Sequence, residues 1–307
     1  IVGSINLLYG RPRGDALVHW LHGGAYPRHD QQSVVAEFRR TGDLLTEFHN
    51  FGHVAVSGMC RYRSGVLDPA WRDQWIVSHF NTSTVTRTKT RTMGASYEAV
   101  ETETIFALHK PDSHLTDVLE DRNGDLLAID TGGWFRIGCP TSQIAKPEVA
   151  GGIYRISRKD EAGKVEVPAI PWPTLSAEAV ATRLDSEQPW QRDRAMTELA
   201  VRGHAALPEL RRILRDETSS VTARRNAIFT LARMKFSASP DLIQEALTDP
   251  DASVRHAAAN AIAVTRSWQA VAANQPAERL IEIERNNTIA GALIAMVREG
   301  EPRTCAQ

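Results

Sequence analysis

The feature that most constrains the fold of this 307-residue chain is a helical pattern that repeats in its C-terminal half. In each copy an Arg is followed three residues later by Ala, and then by a Leu-Ala or Ile-Ala pair. The copies begin at Arg192, Arg224 and Arg255, at spacings of 32 and 31 residues. Small and large apolar side chains on one helix face let neighbouring helices stack closely. Paired helices at this period predict an α-solenoid of HEAT-like repeats.

The second helix of each repeat is led by a proline, which is Pro208 in one copy and Pro240 in the next. Proline suits the first helical turn because its missing N–H would be unpaired there. A third copy, residues 251–298, is degenerate and is expected to act as a cap. The repeated arginines either bind an acidic partner or pair with acidic residues of the adjacent repeat, and we favour the second interpretation.

A proline-rich segment separates this helical half from a β-rich half. Pro168, Pro171 and Pro173 lie within six residues, and proline interrupts both helices and central strands. The segment therefore predicts an extended linker. We expect a β-rich domain over residues 1–165, a linker over 166–175, helical repeats over 176–300 and a tail over 301–307.

The β-rich half contains short apolar runs that repeat loosely at an offset of 51 residues. One set of predicted strands covers 54–59, 75–78 and 84–87, and the next covers 117–120, 126–129 and 152–156. The Asn123-Gly124 pair favours a tight hairpin turn. With a further run at 17–21, the pattern predicts a partial, all-β β-propeller of about three blades. Because propellers close with roughly four to eight blades, we expect the chain to be a fragment.

Composition excludes several classes of function. The formal net charge is −1, so the basic excess typical of nucleic-acid binders is missing. No apolar run reaches the roughly 18 residues of a transmembrane segment. The three cysteines form no CxxC pair, no zinc spacing and no CxxCH haem site. Cys60 and Cys139 form a disulfide if the protein is exported, or else are buried free thiols.

Several motifs of the β-rich half resemble one family. They are Phe51–Met59, Thr116–Asp121, Asp130–Phe135, Cys139–Gln143, Lys146–Val149 and Gly152–Ile156. Together they resemble the propeller of the membrane-bound dehydrogenase proteins abundant in planctomycetes, which are similar to sorbosone and glucose dehydrogenases of the soluble quinoprotein type. The resemblance covers residues 30–160 closely, and the helical half by architecture only.

The resemblance implies a periplasmic oxidoreductase that acts on sugars or other alcohols. It also implies pyrroloquinoline quinone as cofactor and a cytochrome c as electron acceptor. Family members commonly continue into HEAT repeats and a haem domain, but this sequence has no CxxCH. We also expect the early blades, which hold the catalytic base in the quinoprotein relatives, to lie outside this chain, so the resemblance implies a redox family without a complete active site here.

His53 and Asp117 are the candidate catalytic residues. Both are placed near the start of a predicted inner strand, at matching positions of two blades. Side chains at that position could face the central channel and act as acid–base groups. His53 could instead bond a neighbouring blade's backbone, and Asp117 could satisfy its own turn.

Four further residues are candidate groups for substrate or cofactor binding: His79, His114, Asp130 and Trp134. The 51-residue offset places His79 and Asp130 in the same position, after the second strand of each blade. Asp130 precedes two glycines that permit an unusual backbone path. Trp134 either stacks on a ring-shaped ligand or closes the seam between blades, and the second interpretation is the commoner for such aromatics.

No metal site is predicted. Asp121, Asn123 and Asp125 do not follow the spacing of a calcium-binding EF-hand loop, so we expect a hairpin turn there. A second function is also consistent with the sequence. Propellers and solenoids both present rigid surfaces, and neither fold implies catalysis. The chain is therefore either part of a dehydrogenase or a non-catalytic binding scaffold.

Overall fold

The computed structural model describes residues 2–8, 14–21, 24–26, 32–37, 39, 42–133, 145–160, 169–234 and 240–273. The chain divides into two compact units, residues 1–167 and residues 168–307. We call them the β unit and the helical unit. This division lies inside the predicted linker.

The described part of the β unit contains three antiparallel sheets, one short α-helix, α1 (Gln32–Glu37), and one 3-10 turn (Pro69–Trp71). The strands of the first sheet are β1 (Val2–Leu8), β2 (Gly14–His19) and β3 (His49–Gly52). Those of the second are β4 (Val56–Tyr62), β5 (Gln74–His79), β6 (Thr84–Met93) and β7 (Ser96–Ala107). Those of the third are β8 (Leu115–Glu120), β9 (Leu126–Asp130) and β10 (Gly152–Ile156). In each sheet every strand pairs with the next strand along the chain.

All six strands of the two predicted sets are present, and β10 has the predicted bounds. Strand β4 begins two residues later than expected, and β8 two residues earlier. Strands β1, β3 and β7 were not predicted. The order within each sheet is the one a propeller blade would have, but the closed ring of a propeller is not established by these three sheets.

The second and third sheets share one apolar core. Strand β8 contacts both β4 and β5. The fully buried side chains of this core come from both sheets, and include Tyr62, Ile76, Leu115 and Leu126. Removing such side chains from water is the main force that holds the two sheets together.

Polar contacts at one end of these two sheets fix their position relative to each other. The buried Tyr62 hydroxyl donates a hydrogen bond to the Gly124 carbonyl oxygen, 2.8 Å away. The Glu120 carboxylate accepts from the backbone N–H groups of Arg63 and Ser64, both at 2.8 Å. A Cβ on Gly124 would lie 2.6 Å from the side chain of Val66, and the φ of Gly124 is +85°. The predicted turn at Asn123-Gly124 is therefore confirmed, and it is where the third sheet contacts the loop after β4.

The hairpin of β6 and β7 extends beyond the other strands and is built on complementary charge. Arg87 of β6 pairs with Glu101 and Glu103 of β7, at 2.5 and 2.8 Å. Near the end of the hairpin Arg91 pairs with Glu98 at 2.6 Å. Arg87 is buried and also lies over the ring of Trp71. Cross-strand pairs of opposite charge stabilise a strand that has little apolar surface of its own.

The helical unit begins with α2 (Ala177–Ala181) and continues through α3 (Pro189–Arg202), α4 (Leu207–Arg215), α5 (Val221–Arg233), α6 (Pro240–Glu245) and α7 (Ala252–Ala273). Helix α5 packs against both α3 and α7. Pro208 lies in the first turn of α4, and Pro240 begins α6, as predicted. None of the described helices is both long enough and apolar enough to cross a membrane.

One continuous apolar core runs through the helical unit, and residues of the proline-rich segment join it. Trp172 is buried in this core, and its carbonyl oxygen accepts a hydrogen bond from Arg202 at 2.9 Å. A second Arg202 nitrogen donates to the Leu175 carbonyl oxygen at 2.7 Å. The end of the predicted linker is therefore packed onto the helical unit.

The three repeated arginines have structural roles. Each donates hydrogen bonds to carbonyl oxygens five or six residues earlier: Arg192 to Ser186 and Glu187, Arg224 to Ser219, and Arg255 to Asp249 and Pro250. Arg224 also forms a two-pronged ion pair with Asp249, at 2.9 and 3.2 Å, in which both side chains are buried. For Arg224 the favoured interpretation, pairing with an acidic residue at the next repeat, is confirmed.

Candidate functional site

His53 and Asp117 are both exposed to solvent, but they do not occupy equivalent positions. Val56 of β4 pairs with His79, and Leu115 of β8 pairs with Asp130, so Val56 and Leu115 correspond. His53 therefore lies three residues before its strand, whereas Asp117 lies inside β8. The prediction that the two residues match each other is wrong, because both strand starts were misplaced in opposite directions. No hydrogen bond or ion pair joins these two described side chains.

Asp117 lies where β4 and β8 approach each other closely. A Cβ on Gly58 would lie 2.5 Å from the Asp117 Cα atom, so only glycine fits there. The Asp117 carboxylate accepts a hydrogen bond from the N–H of Val118, at 2.8 Å, and its side chain is otherwise exposed. The Asp117 carboxylate thus binds the backbone next to it, within a strand rather than in the turn that the alternative interpretation expected, and it stays accessible to solvent.

His53 belongs to a tight turn that is held by a residue of the first sheet. The buried Asp15 carboxylate accepts hydrogen bonds from the N–H groups of Val54 and Ala55, at 2.9 and 2.6 Å. Ala55 has a φ of +51°, in the left-handed region that costs a side chain energy. Asp15 offsets that cost and so sets where His53 lies. Sequence reasoning missed Asp15, because a single Asp before an apolar run carries no signal of its role.

His79 and Asp130 do occupy the same position, as the 51-residue offset predicted. Each is the last residue of the second strand of its sheet, and each is only 3% exposed. Their shared position is a buried one, so neither side chain opens onto solvent.

The His79 ring is fully engaged inside the β unit. Its two nitrogens lie 3.3 Å from the hydroxyls of Thr84 and Thr86, and Phe51 contacts the ring edge-on. Burial lowers the pKa of His79 to about 4; the nearby Asp15 opposes this shift, and His49 adds to it. His79 is therefore neutral at physiological pH, and as described it is not placed to exchange protons with an external substrate.

Asp130 holds two backbone segments together. Its carboxylate accepts from the N–H groups of His114 and Gly132, at 3.1 and 2.7 Å, and Lys110 approaches the other oxygen at 3.7 Å. Gly132 has a φ of +65°, and a Cβ there would lie 2.1 Å from the Val149 carbonyl oxygen. The two glycines after Asp130 thus allow two chain segments to cross closely, in agreement with the unusual backbone path that the sequence led us to expect there.

His114 is half-buried and stacks flat on Phe80, with ring centroids 4.1 Å apart and an interplanar angle of 8°. Its Nδ1 lies 3.4 Å from the Phe80 carbonyl oxygen. Through its backbone His114 also touches Asp130, so these are the two predicted binding residues that the structure brings together. Trp134 lies outside the described residues.

The predicted hairpin at Asp121, Asn123 and Asp125 is confirmed. One Asp121 oxygen accepts from the N–H groups of Asn123 and Asp125, at 2.8 and 3.1 Å. Arg155 of β10 pairs with the carboxylates of both Asp121 and Asp125. Within the described ranges, no group of three His, Cys, Asp or Glu residues could hold a metal ion.

Cys60 is a free, half-buried thiol. Burial raises its pKa to about 12, and the carboxylates of Glu120 and Asp117 contribute to the shift. A thiol in this state is a poor nucleophile at neutral pH. Cys139 lies outside the described residues.

Comparisons with known proteins give two results. Among solved structures, a Thermus thermophilus protein described as an oxidoreductase (glucose dehydrogenase) is distantly similar, with 13% identity and a TM-score of 0.32. The match covers 50% of this chain and 40% of that protein, so the chain spans less than half of that protein's length. No curated protein matches the chain. The family of HEAT repeats matches residues 177–263, which make up most of the described helical unit.

Proposed function

We propose that the helical unit of this chain is a protein-binding module. The observation that carries the proposal is the match of residues 177–263 to HEAT repeats, on helices that share one continuous core. Stacked repeats of this kind present extended, rigid surfaces, which lose little conformational entropy when they bind. The arginine hydrogen bonds described above add to this rigidity, because they fix each inter-helix loop to the helix that follows it.

The test identifies the partner by cross-linking in the source cells and then repurifies it. Hydrogen–deuterium exchange of the full-length protein is compared with and without the purified partner. We expect slower exchange within 177–263 on binding. Slower exchange confined to the β unit, or none at saturating partner, would contradict the proposal.

A second candidate function belongs to the β unit. We propose that it is part of a periplasmic oxidoreductase that acts on sugars or other alcohols and delivers electrons to a cytochrome c. The support is the family resemblance, together with the exposure of His53 and Asp117, the two residues proposed as acid–base groups. A catalytic acid or base must be reachable by substrate, and these two side chains meet that condition.

The described residues do not supply a site for pyrroloquinoline quinone. Among the residues predicted to bind it, His79 and Asp130 are buried and engaged in internal hydrogen bonds. The ring of His114 is covered on one side by Phe80. We therefore assign no described residue to quinone binding and derive no catalytic step through it.

Dye-linked oxidation of a panel of sugars and alcohols by the full-length protein, with and without added quinone, tests this second function. We expect turnover that falls at least about tenfold in His53→Ala and Asp117→Asn, in line with the usual contribution of acid–base groups. His109→Ala and Asp43→Asn, which change exposed residues of the same types elsewhere in the β unit, are the matched controls. No turnover across the panel would leave the non-catalytic scaffold as the function of the β unit.

A further inference from the structure

One exposed face of the helical unit runs across α3, α5 and α7. The repeat spacings of 32 and 31 residues bring three positions of each helix into register with the same three positions of the other two helices. We call these nine positions the outer stripe. All nine positions are exposed or half-buried, whereas the residues on the opposite side of each helix form the core. The outer stripe consists of Asp193, Thr197 and Val201 on α3, Arg225, Phe229 and Arg233 on α5, and His256, Asn260 and Val264 on α7.

The outer stripe carries apolar surface that its own unit does not cover. Val201 is 80% exposed and Val264 is 45% exposed, on the two flanking helices. On the central helix the equivalent position is Arg233, and Phe229, one turn before it, is half-buried against the core. Exposed apolar side chains that recur at the same repeat position, within a polar surround, are typical of a binding surface.

The charges on the central helix of the stripe differ from those on the helices behind it. Arg225 and Arg233 lie one turn before and one turn after Phe229, and within the described part of the chain neither forms an ion pair. On the helices α4 and α6, by contrast, Arg212 pairs with Glu209, and Arg215 pairs with Glu245 across the repeats.

This difference indicates which side of the stack receives a ligand and what charge that ligand has. On α4 the unit itself compensates Arg212 and Arg215 by ion pairs, and Arg211, which forms none within the described ranges, helps to lower the pKa of the Glu245 carboxyl. On the outer stripe the two arginines of α5 keep their full charge for a partner. Two arginines that flank a Phe are suited to a segment with carboxylates on either side of apolar side chains.

We propose that the outer stripe docks an acidic, amphipathic helical segment of a partner protein, a proposal that rests on the protein-binding function argued above. Its apolar side chains cover Phe229, Val201 and Val264, and its carboxylates pair with Arg225 and Arg233. These arginines are eight residues apart, which corresponds to about 12 Å along a helix. The partner's two carboxylates are therefore also about eight residues apart if its helix runs along α5.

The test uses the full chain and synthetic helical peptides, with binding measured by fluorescence anisotropy. The probe carries two Glu residues eight positions apart, with Leu residues between them on the same face. A second peptide has Lys in place of both Glu residues, and a third has the same composition in scrambled order. We expect the Glu peptide to bind at least about tenfold more tightly than either of the others, and more weakly as salt is added.

Variants of the protein reverse the charge on its side of the proposed interface, to match the reversal in the Lys peptide. Arg225→Glu with Arg233→Glu is expected to weaken binding of the Glu peptide at least about tenfold and to strengthen binding of the Lys peptide. Arg211→Glu is the matched control, because Arg211 is exposed on α4 and forms no ion pair with the described residues. It should change the affinity less than about twofold. Circular dichroism of each variant checks that the helices are retained.

The proposal is overturned if the Glu and Lys peptides bind equally well, or if the double variant binds the Glu peptide like the unmodified chain. Hydrogen exchange with the purified partner separates this failure from that of the proposed function. Protection of α4 and α6 without the outer stripe would overturn only the docking surface. Absence of protection anywhere in 177–263 would overturn the protein-binding function as well.

Discussion

The two units of this chain bury polar groups in different ways. In the helical unit one arrangement is used three times, in which an arginine binds carbonyl oxygens five or six residues before it. In the β unit several buried polar groups instead have a partner of their own far along the chain. Asp15 binds the turn at Val54 and Ala55, and Tyr62 reaches Gly124. Local and repeated contacts leave a pattern in the sequence, whereas single long-range contacts leave none.

This comparison predicts that the helical unit depends most strongly on its one buried ion pair among the described residues. Arg224→Ala leaves the Asp249 carboxylate buried without its partner, which should lower the free energy of unfolding of that unit by about 3–5 kcal/mol. Arg215→Ala removes an exposed ion pair with Glu245 and should cost less than about 1 kcal/mol. Urea denaturation followed by helical circular dichroism measures both. Equal effects would show that burial of the Arg224 pair is unimportant.

In the β unit we expect the largest loss of stability from the substitution of a glycine. Gly132→Ala places a Cβ against the Val149 carbonyl oxygen at a positive φ, which should cost about 3 kcal/mol. Gly42→Ala is the control, since nothing lies within 4 Å of a Cβ there. Unfolding of the β unit, followed by hydrogen–deuterium exchange of its strands in increasing urea, is the measurement. A Gly132→Ala protein as stable as the control would mean that the crossing of the two segments is not tight.

The buried His79 makes the β unit sensitive to acid. Its pKa in the folded chain is about 4, below the 6.5 of an exposed histidine, so between these values the unfolded chain binds a proton that the folded chain does not. The stability from neutral His79 is therefore complete above pH 6.5 and is lost as the pH falls towards 4, by on the order of 3 kcal/mol. Unfolding free energies measured from pH 7 to pH 4 should show this loss, and His79→Gln should remove it. A pH dependence that persists in the variant would assign the effect to other groups.

The smallest expected effect is at the contact between the second and third sheets. Tyr62→Phe removes two hydrogen bonds of the hydroxyl, one donated to the Gly124 carbonyl oxygen and one accepted from the Leu67 N–H, and should cost about 2 kcal/mol. Tyr154→Phe changes a half-buried tyrosine whose hydroxyl makes no hydrogen bond with the described residues, and should be close to neutral. A comparison of the two unfolding curves isolates the joint contribution of these two hydrogen bonds. If both variants lose the same stability, this contact does not hold the sheets in register.

How much of the fold the sequence could predict follows from the same difference between the units. The repeat of Arg192, Arg224 and Arg255 is visible in the sequence because each of these arginines makes the same short-range hydrogen bonds, to carbonyl oxygens of the loop before its helix. Strand β7 was missed because glutamates interrupt its apolar pattern, and its stability comes from pairs such as Arg87 with Glu103. No property of β7 taken alone reveals that partner strand.

The candidate site shows the same limit. The common position of His79 and Asp130 could be predicted from the 51-residue offset, because the offset follows the repeat of the sheets. Their burial could not be predicted, since it depends on side chains such as Thr86 and on the crossing at Gly132. The outer stripe left a signal that was overlooked: each first position of the stripe, such as Arg225, directly follows one of the repeated arginines.

The most direct test of the account is hydrogen–deuterium exchange of the full-length protein with its repurified partner, compared between the unmodified chain and the Arg225→Glu, Arg233→Glu variant. The account predicts slower exchange in α3, α5 and α7 of the unmodified chain, and loss of that protection in the variant at the same partner concentration. Protection that persists unchanged in the variant, or that lies only in the β unit, would contradict it.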